Sequence, residues 1–370
     1  MKVVVIGTRG IPRIQGGVER HCEELYPRLV QRGCAVTVVR RSCYVEEDNR
    51  LSEYRGVKLH DLYAPRKKSL EAIVHSFLAV CYARRVGADV LHCHAIGPSI
   101  VVPFARLLGL KVVMTHHGPD YDRKKWGALA RFVLRLGERL GVKYANRVIV
   151  ISEVIRTLVK EKYGRTDAAL IYNGVPAPRF VSATTYVHSL GLEPRRYVLA
   201  LGRFVEEKGF DLLVRAFAAW QRQAGTQGEG AAYHLVLAGT ADHEDAYSAR
   251  LRQLAQEHGV VLTGFIRGEK LDELMTHAAL FVLPSFHEGL PISLLEAMSY
   301  NLPVLVSDIP ANREVGLPAA DYFPCGDERA LEEALAAKLS GGELGRCTYD
   351  MSRYDWDYIA GQVCQLYHNL

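Results

Sequence analysis

The feature that most constrains this chain is an alternation that runs twice. Short β-rich runs alternate with longer helical stretches. Val3–Ile6 and Ala35–Arg40 read as strands, with a helix at Val18–Arg32 between them. Val90–Cys93, Lys111–Thr115 and Val148–Ile151 continue the strands, and Leu70–Arg85 and Leu129–Tyr144 read as helices. Apolar strands separated by helices specify a parallel sheet covered on both faces. The pattern then restarts. Tyr197–Leu201, Leu235–Ala238, Val260–Leu262, Leu280–Leu283 and Val304–Val306 read as strands. Asp211–Gln223, Ala246–His258, Leu271–Ala278 and Ile292–Ser299 are the intervening helices. The expectation is α/β, with two Rossmann-like, doubly wound, parallel-sheet domains facing a central cleft. Asn173–Phe180, followed by Ser182–Thr185, reads as the joint, and Gly225–Gly230 as a polar loop.

Length and composition agree with two domains. A chain of 370 residues divides into two units of ordinary size. At 49% apolar, each can bury a core. No apolar run approaches the roughly 20 residues that span a bilayer. Met1-Lys2 leads directly into a strand-like run without a signal-type segment, which points to the cytosol. Cysteines stand at 22, 34, 43, 81, 93, 325, 347 and 364 and form no CxxC pair, so neither a zinc ribbon nor a thioredoxin motif is expected. The charge is uneven. Residues 1–180 hold 31 Lys+Arg against 16 Asp+Glu, and residues 181–370 hold 15 against 25. A basic half can meet an anionic lipid surface or a phosphate-bearing acceptor. No zinc finger, RNP-like motif or helix-turn-helix accompanies it, so no nucleic acid is expected.

Ligands of open α/β sheets bind beyond the carboxyl ends of the strands. Two such loops carry chemistry. Gly202-Arg203-Phe204-Val205-Glu206-Glu207-Lys208-Gly209 follows the strand Tyr197–Leu201 and supplies a glycine turn, two cations and a helix start at Phe210 or Asp211. Fixed cations near a helix N-terminus suit a departing diphosphate. The second loop, Pro284 to Ala297, follows Leu280–Leu283. It carries Glu288 in the loop and Glu296 inside the helix, with seven residues between them. Gly289 permits close backbone approach, and Pro291 suits a first helical turn. A carboxylate here can accept hydrogen bonds from a ribose diol.

Glu288-x7-Glu296 together with Gly202-Arg203-x4-Lys208-Gly209 resembles the retaining glycosyltransferases of family 4, which have the GT-B fold. Asn173-Gly174-Val175 resembles that family's interdomain marker, and Gly16-Gly17-Val18-Glu19-Arg20 its N-terminal glycine loop. Tyr354-Asp355-Trp356-Asp357-Tyr358-Ile359 resembles its C-terminal helix, which crosses back onto the N-terminal domain. Gly7-Thr8-Arg9-Gly10-Ile11-Pro12 further resembles a bacterial rhamnosyltransferase-like subgroup. The resemblance implies an acceptor-side domain at 1–175 joined by helix 354–370, and a donor-binding domain at 176–353. It implies that Arg203 and Lys208 bind the donor diphosphate, that Glu296 holds the ribose, and that Glu288 lies near the donor sugar. Gly289 and Leu290 amides would contact phosphate or sugar oxygens, and Gly16 and Gly17 would let the first loop approach the diphosphate. His117 matches the active-site histidine, with His116 as its neighbour. The implied reaction is transfer of a hexose or deoxyhexose, such as rhamnose, glucose or an N-acetylhexosamine. The donor is a nucleotide-diphosphate sugar, the acceptor a glycan or a polyprenyl-linked lipid, and the context bacterial surface polysaccharide. No cofactor and no metal are expected. The alternative is a nucleotide-sugar 2-epimerase, against which the Glu-x7-Glu loop argues.

Other motifs carry less. Gly7-Thr8-Arg9-Gly10 lacks G-x-G-x-x-G, and Pro12 breaks the helix start a dinucleotide would need. In His92-Cys93-His94 the cysteine faces away from both histidines, and His94 is expected to line the cleft. Asp120-Tyr121-Asp122 and Asp355-Trp356-Asp357 are formal DxD strings. The first lies near His117, and the second caps the closing helix. Arg131, Arg135, Arg139, Lys143 and Arg147 recur every four residues behind Arg123, Lys124 and Lys125, with Trp126, Phe132, Val133, Leu136 and Leu140 interspersed. Segment 123–147 thus reads as a basic amphipathic helix that either packs on its own sheet or rests on the anionic inner membrane face.

Overall fold

The computed structural model describes residues 1–14, 16–66, 71–119, 121, 127–224, 233–241, 244–340 and 344–370. The chain divides into two compact units, Met1–Gly174 with Ser352–Leu370, and Val175–Met351.

In the first unit the described elements are β1 (Lys2–Ile6), α1 (Gly17–Gln31), β2 (Ala35–Arg41), β3 (Glu53–Tyr54), β4 (Val57–Leu62), α2 (Glu71–Arg85), β5 (Val90–His94), α3 (Val102–Leu107), β6 (Lys111–His116), α4 (Ala128–Tyr144), β7 (Arg147–Val150), α5 (Glu153–Tyr163) and β8 (Ala169–Leu170). The C-terminal helix Trp356–His368 completes it. The sheet runs β3-β4-β2-β1-β5-β6-β7-β8. Its pairs are parallel except β3–β4, so an antiparallel edge makes this sheet mixed rather than wholly parallel. Such an edge is common on doubly wound sheets. Asp355 caps the C-terminal helix by accepting from Tyr358 N. Trp356, Ile359, Val363 and Tyr367 share one core with Leu25, Tyr26 and Leu29 of α1.

The second unit contains α6 (Thr185–Ser189), β9 (Tyr197–Leu201), α7 (Phe210–Ala224), β10 (His234–Ala238), α8 (Ala246–Glu257), β11 (Val261–Gly264), α9 (Glu269–His277), β12 (Leu280–Leu283), α10 (Ile292–Ser299), β13 (Val304–Ser307), α11 (Pro310–Arg313), β14 (Tyr322–Phe323) and α12 (Glu328–Leu339). Its described sheet is parallel, in the order β11-β10-β9-β12-β13-β14. β12 is buried throughout, as its unbroken apolar sequence requires. α8 starts at a capping box in which Asp245 and Ser248 bond reciprocally.

The strand orders locate the ligand positions. In the first sheet the chain winds from β1 out to β2 and later returns to β5 on the other side. In the second it winds from β9 to β10 and returns to β12. The loops after β1 and β5, and after β9 and β12, therefore sit at topological switch points, where open α/β sheets place ligands. The Gly225–Gly230 loop and Leu70 lie outside the described residues.

Candidate functional site

In the second unit, two loops meet at the β9/β12 switch point. A 3-10 turn, Glu206–Lys208, ends at Gly209 in the left-handed region (φ 63°). A Cβ at Gly209 would stand 2.4 Å from the Pro284 carbonyl oxygen, so only glycine lets the loops approach this closely. Phe286 N donates to Glu207 O at 2.8 Å and ties the loops together. This contact brings the Lys208 ammonium to Glu288 Oε1 at 2.5 Å. Ser285 Oγ donates to the same oxygen at 2.6 Å. The Ser285 carbonyl in turn accepts from Ser307 Oγ, and Asn312 Nδ2 holds the Ser307 carbonyl at 2.9 Å.

α10 begins at Pro291, which provides no side-chain cap. Its leading amides therefore need an outside acceptor, and the helix dipole favours an anion there. Ser293, on the first turn, has a buried Oγ without a hydrogen-bond partner among the described residues. Arg203 and Glu296 are half-buried, Leu290 is buried, and Gly289 lies in the loop between Glu288 and Leu290. Lys208 and Glu288, expected to act on phosphate and sugar separately, are thus one ion pair. Ser285, Ser293 and Ser307 had no signature in the sequence.

His117, Gly16 and Gly17 belong to the first unit. Gly16, at φ 151°, precedes α1, and a Cβ there would stand 1.9 Å from Glu19 Oε2. The Glu19 carboxylate accepts from Arg9 N at 2.9 Å and from Thr8 Oγ at 3.2 Å, pinning the loop after β1.

His117 follows β6 and is half-buried. Its Nε2 lies 2.9 Å from His94 Nδ1. His94 and His92 share one face of β5, with stacked rings 4.3 Å apart, whereas Cys93 points the other way toward Ser99. His94 is fully buried. Its Nε2 meets the Tyr26 hydroxyl, which also lies 3.0 Å from His92 Nδ1. His92 further bonds Tyr367 and Thr115. His21, from α1, places Nδ1 2.8 Å from Asn173 Oδ1. Burial lowers His21 to about 4, with the Asn173 bond opposing, and lowers His92 to about 3. His117 is pushed well down by burial and by His21, His116 and His92. These imidazoles are therefore neutral at neutral pH.

His116 has a structural position. Gly118 N donates to its Nδ1 at 3.1 Å, and its Nε2 donates to Glu138 Oε1 at 2.9 Å. Glu138, on α4, is fully buried and also bonds Lys162, Tyr121 and Tyr163. Burial raises its carboxyl, and the His116, Lys162 and Tyr163 bonds outweigh that, holding it at about 2. α4 buries Gly137, Glu138, Gly141 and Val142, while Leu129 is 78% and Phe132 63% exposed. The buried face is thus smaller and more polar than the Phe132-Val133-Leu136-Leu140 pattern predicted. Asp120, Asp122 and Arg123 to Trp126 lie outside the described residues.

Comparison with known proteins agrees with this architecture. Residues 15–179 match Glycosyltransferase Family 4, and residues 184–346 match Glycosyl transferases group 1. An uncharacterized glycosyltransferase of Methanocaldococcus jannaschii is 25% identical, covering 99% of this chain and 98% of that one. The GDP-mannose:cellobiosyl-diphosphopolyprenol alpha-mannosyltransferase of Xanthomonas oryzae is 28% identical over 76% of this chain and 74% of its own. Among solved structures, the sucrose-phosphate synthase of Thermosynechococcus elongatus superposes with a TM-score of 0.81 at 23% identity, covering 100% of this chain and 98% of that one. Anabaena HepE in complex with UDP-glucose gives 0.78 at 18%, covering all of both chains. The chain is a GT-B glycosyltransferase, built from a family 4 domain followed by a glycosyl transferases group 1 domain.

Proposed function

We propose that this enzyme transfers a hexose or deoxyhexose from a nucleotide-diphosphate donor to a glycan or polyprenyl-linked acceptor, with retention of anomeric configuration. The observation that carries the donor site is the Lys208–Glu288 pair, held by two stitched loops at a switch point beside the uncapped start of α10. In the transfer, the anomeric C–O bond breaks and charge develops on the leaving diphosphate. Arg203, Lys208 and the leading amides of α10 neutralise it, which makes a metal unnecessary there. The orphaned Ser293 hydroxyl fits a phosphate oxygen. Glu296 holds the ribose diol, and Glu288 orients Lys208 and the sugar hydroxyls. Gly289 and Leu290 present amides. In the first unit, His117, a neutral imidazole, is suited to exchange a hydrogen bond with a sugar hydroxyl, and Gly16 and Gly17 leave the loop after β1 open to a phosphate. The acceptor hydroxyl loses its proton to a donor phosphate oxygen as the new C–O bond forms.

The Xanthomonas relative is named for GDP-mannose and a diphosphopolyprenol acceptor, and a Salmonella relative, 25% identical, for O-antigen mannosyl transfer. Mannose therefore joins rhamnose and glucose as a donor sugar to test, and the named relatives are transferases rather than epimerases. A peripheral contact with the anionic inner membrane face fits α4, where exposed Leu129 and Phe132 accompany Arg131, Arg135, Arg139 and Lys143. No described helix is long and apolar enough to cross a membrane.

The test is a thermal-shift panel of UDP, GDP and dTDP with the wild type and Lys208→Ala. A ligand that binds only the native state stabilises by RT ln(1 + [L]/Kd), about 2.7 kcal/mol at a hundredfold excess over Kd. One diphosphate should raise Tm in the wild type and much less in the variant. An equal rise in both overturns the assignment of the diphosphate to Lys208.

A further inference from the structure

Three elements of the first unit bring imidazoles to one point: α1 with His21, the end of β5 with His94, and the turn after β6 with His117. One ring nitrogen from each lies within 4.8 Å of the other two, and among the described residues no other set of three His, Cys, Asp or Glu side chains does this. We propose that His21 Nε2, His94 Nδ1 and His117 Nε2 bind one borderline divalent transition-metal ion, with zinc as the first candidate. The proposal stands without the transfer mechanism above.

The hydrogen bonds already assign the ligand atoms. An amide oxygen can only accept, so Asn173 Oδ1 at 2.8 Å fixes the proton of His21 on Nδ1 and leaves the lone pair on Nε2. That Nε2 is buried and has no hydrogen-bond partner among the described residues. An unsatisfied buried polar atom is costly, and its presence calls for an explanation. A metal ion satisfies it directly. At His94, Nε2 is occupied by the Tyr26 hydroxyl, so Nδ1 is the atom turned toward His117. A metal-bound imidazole ordinarily has its second nitrogen held by an oxygen in this way. Asn173 and Tyr26 are such oxygens, and both belong to buried residues.

Geometry and ligand type agree. Zinc–nitrogen bonds of about 2.0–2.1 Å in a tetrahedron put the nitrogens about 3.3 Å apart. His94 Nδ1 and His117 Nε2 stand 2.9 Å apart, so the pair opens by a few tenths of an ångström as the ion takes the place of the shared proton. The ring centroids of His21 lie 5.3 Å from His94 and 5.0 Å from His117, within a rotamer adjustment of the same centre. His117 is only half-buried, which gives the ion an entry path and a fourth position for water. Three imidazoles without a carboxylate or thiolate suit zinc, copper or nickel and disfavour magnesium and calcium.

The experiment is cobalt and zinc binding by chelator-stripped full-length protein, with neither donor nor acceptor present. Cobalt should give the visible bands of a four-coordinate nitrogen site, and equilibrium dialysis should find one zinc per chain. His21→Ala should abolish both signals, and Asn173→Ala should weaken zinc by about 10- to 100-fold, as loss of an outer-shell partner does. His117→Gln, at a half-buried position, repeats the ligand test if His21→Ala does not fold. The competing site is Cys364 beside His368, with Sγ 3.7 Å from Nδ1. A thiolate-to-cobalt band lost in Cys364→Ser would place the ion there and overturn the proposal. So would the absence of stoichiometric binding, or unchanged binding in a folded His21→Ala or His117→Gln. Failure here leaves the diphosphate test on Lys208 unaffected, and failure of that test leaves this one unaffected.

Discussion

Glu138→Gln tests the network that holds the His116–Gly118 turn. The Glu138 carboxyl falls from 4.5 to about 2 because its bonds to His116, Lys162 and Tyr163 exceed the cost of burial. A group with a depressed folded pKa contributes stability that is complete above its unfolded value and lost as pH falls toward the folded one. At about 1.36 kcal/mol per unit, the drop corresponds to about 3 kcal/mol at pH 7. The carboxylate itself has no exposure, so solvent does not screen it, although its partner Lys162 is 39% exposed. That opening trims the expected cost of Glu138→Gln to about 2–3 kcal/mol. The upward push on Lys162 reports the same contact and is not added. The chain has two compact units, so the measurement is local: native-state hydrogen exchange at the amides of β6 and β7. The gap between wild type and Glu138→Gln should shrink by about 1.4 kcal/mol between pH 7 and pH 3.5, because protonation of the unfolded carboxylate removes the advantage. A gap independent of pH, or one below about 1 kcal/mol at pH 7, refutes the reasoning.

Arg203→Ala or Lys208→Ala should lower kcat/KM by about 100-fold or more, comparable to losing one oxyanion donor, and near-normal turnover would remove both from the donor site. Turnover should survive EDTA, since fixed cations do the neutralising; strict metal dependence contradicts this. Gly209→Ala should lose donor-dependent thermal stabilisation, because a Cβ would stand 2.4 Å from the Pro284 carbonyl in a backbone conformation that costs a non-glycine residue about 1–2 kcal/mol. An unaltered shift with the nucleotide panel would show that the loops need not meet. Leu129→Ser with Phe132→Ser should reduce co-sedimentation with anionic vesicles at unchanged Tm, and binding indifferent to lipid charge and salt excludes a membrane role for α4.

Much of the fold was legible because both sheets are buried on two faces. Leu280–Leu283 and Tyr197–Leu201 are apolar end to end, which no edge strand in water would be. β4 escaped for the converse reason. Val57-Lys58-Leu59-His60-Asp61-Leu62 alternates, as a half-covered strand does, and its partner β3 has two residues. α12 was missed despite a helix-forming sequence capped by Asp327. Within the site, the loops were identifiable from their glycines and charges, but their contacts were not. Lys208 and Glu288 are 80 positions apart, and His21 and Asn173 are 152 apart. No local pattern encodes such pairs, which the winding of the sheet creates.

That division bears on how the two candidate sites, one in each unit, are encoded. The proposed diphosphate site rests on backbone amides and fixed cations in contiguous loops, so its signature is local and readable. The histidine end depends on which nitrogen of each ring is already occupied, and the occupants come from elsewhere: Asn173 beyond β8, Tyr26 on α1 and Tyr367 on the C-terminal helix. A residue such as His21 therefore acquires meaning only once Asn173 has claimed its Nδ1 and burial has left Nε2 without a partner. The C-terminal helix takes part in the same logic. Tyr367 bonds His92, His92 and His94 share Tyr26, and His94 faces His117. Tyr367→Phe should thus shift His117 behaviour, read as a change in kcat at unchanged KM, from a helix that carries none of the expected site residues. A Tyr367→Phe enzyme with wild-type kcat and Tm would show that the chain of bonds ends at His92 and leaves His117 to His94 and His21 alone.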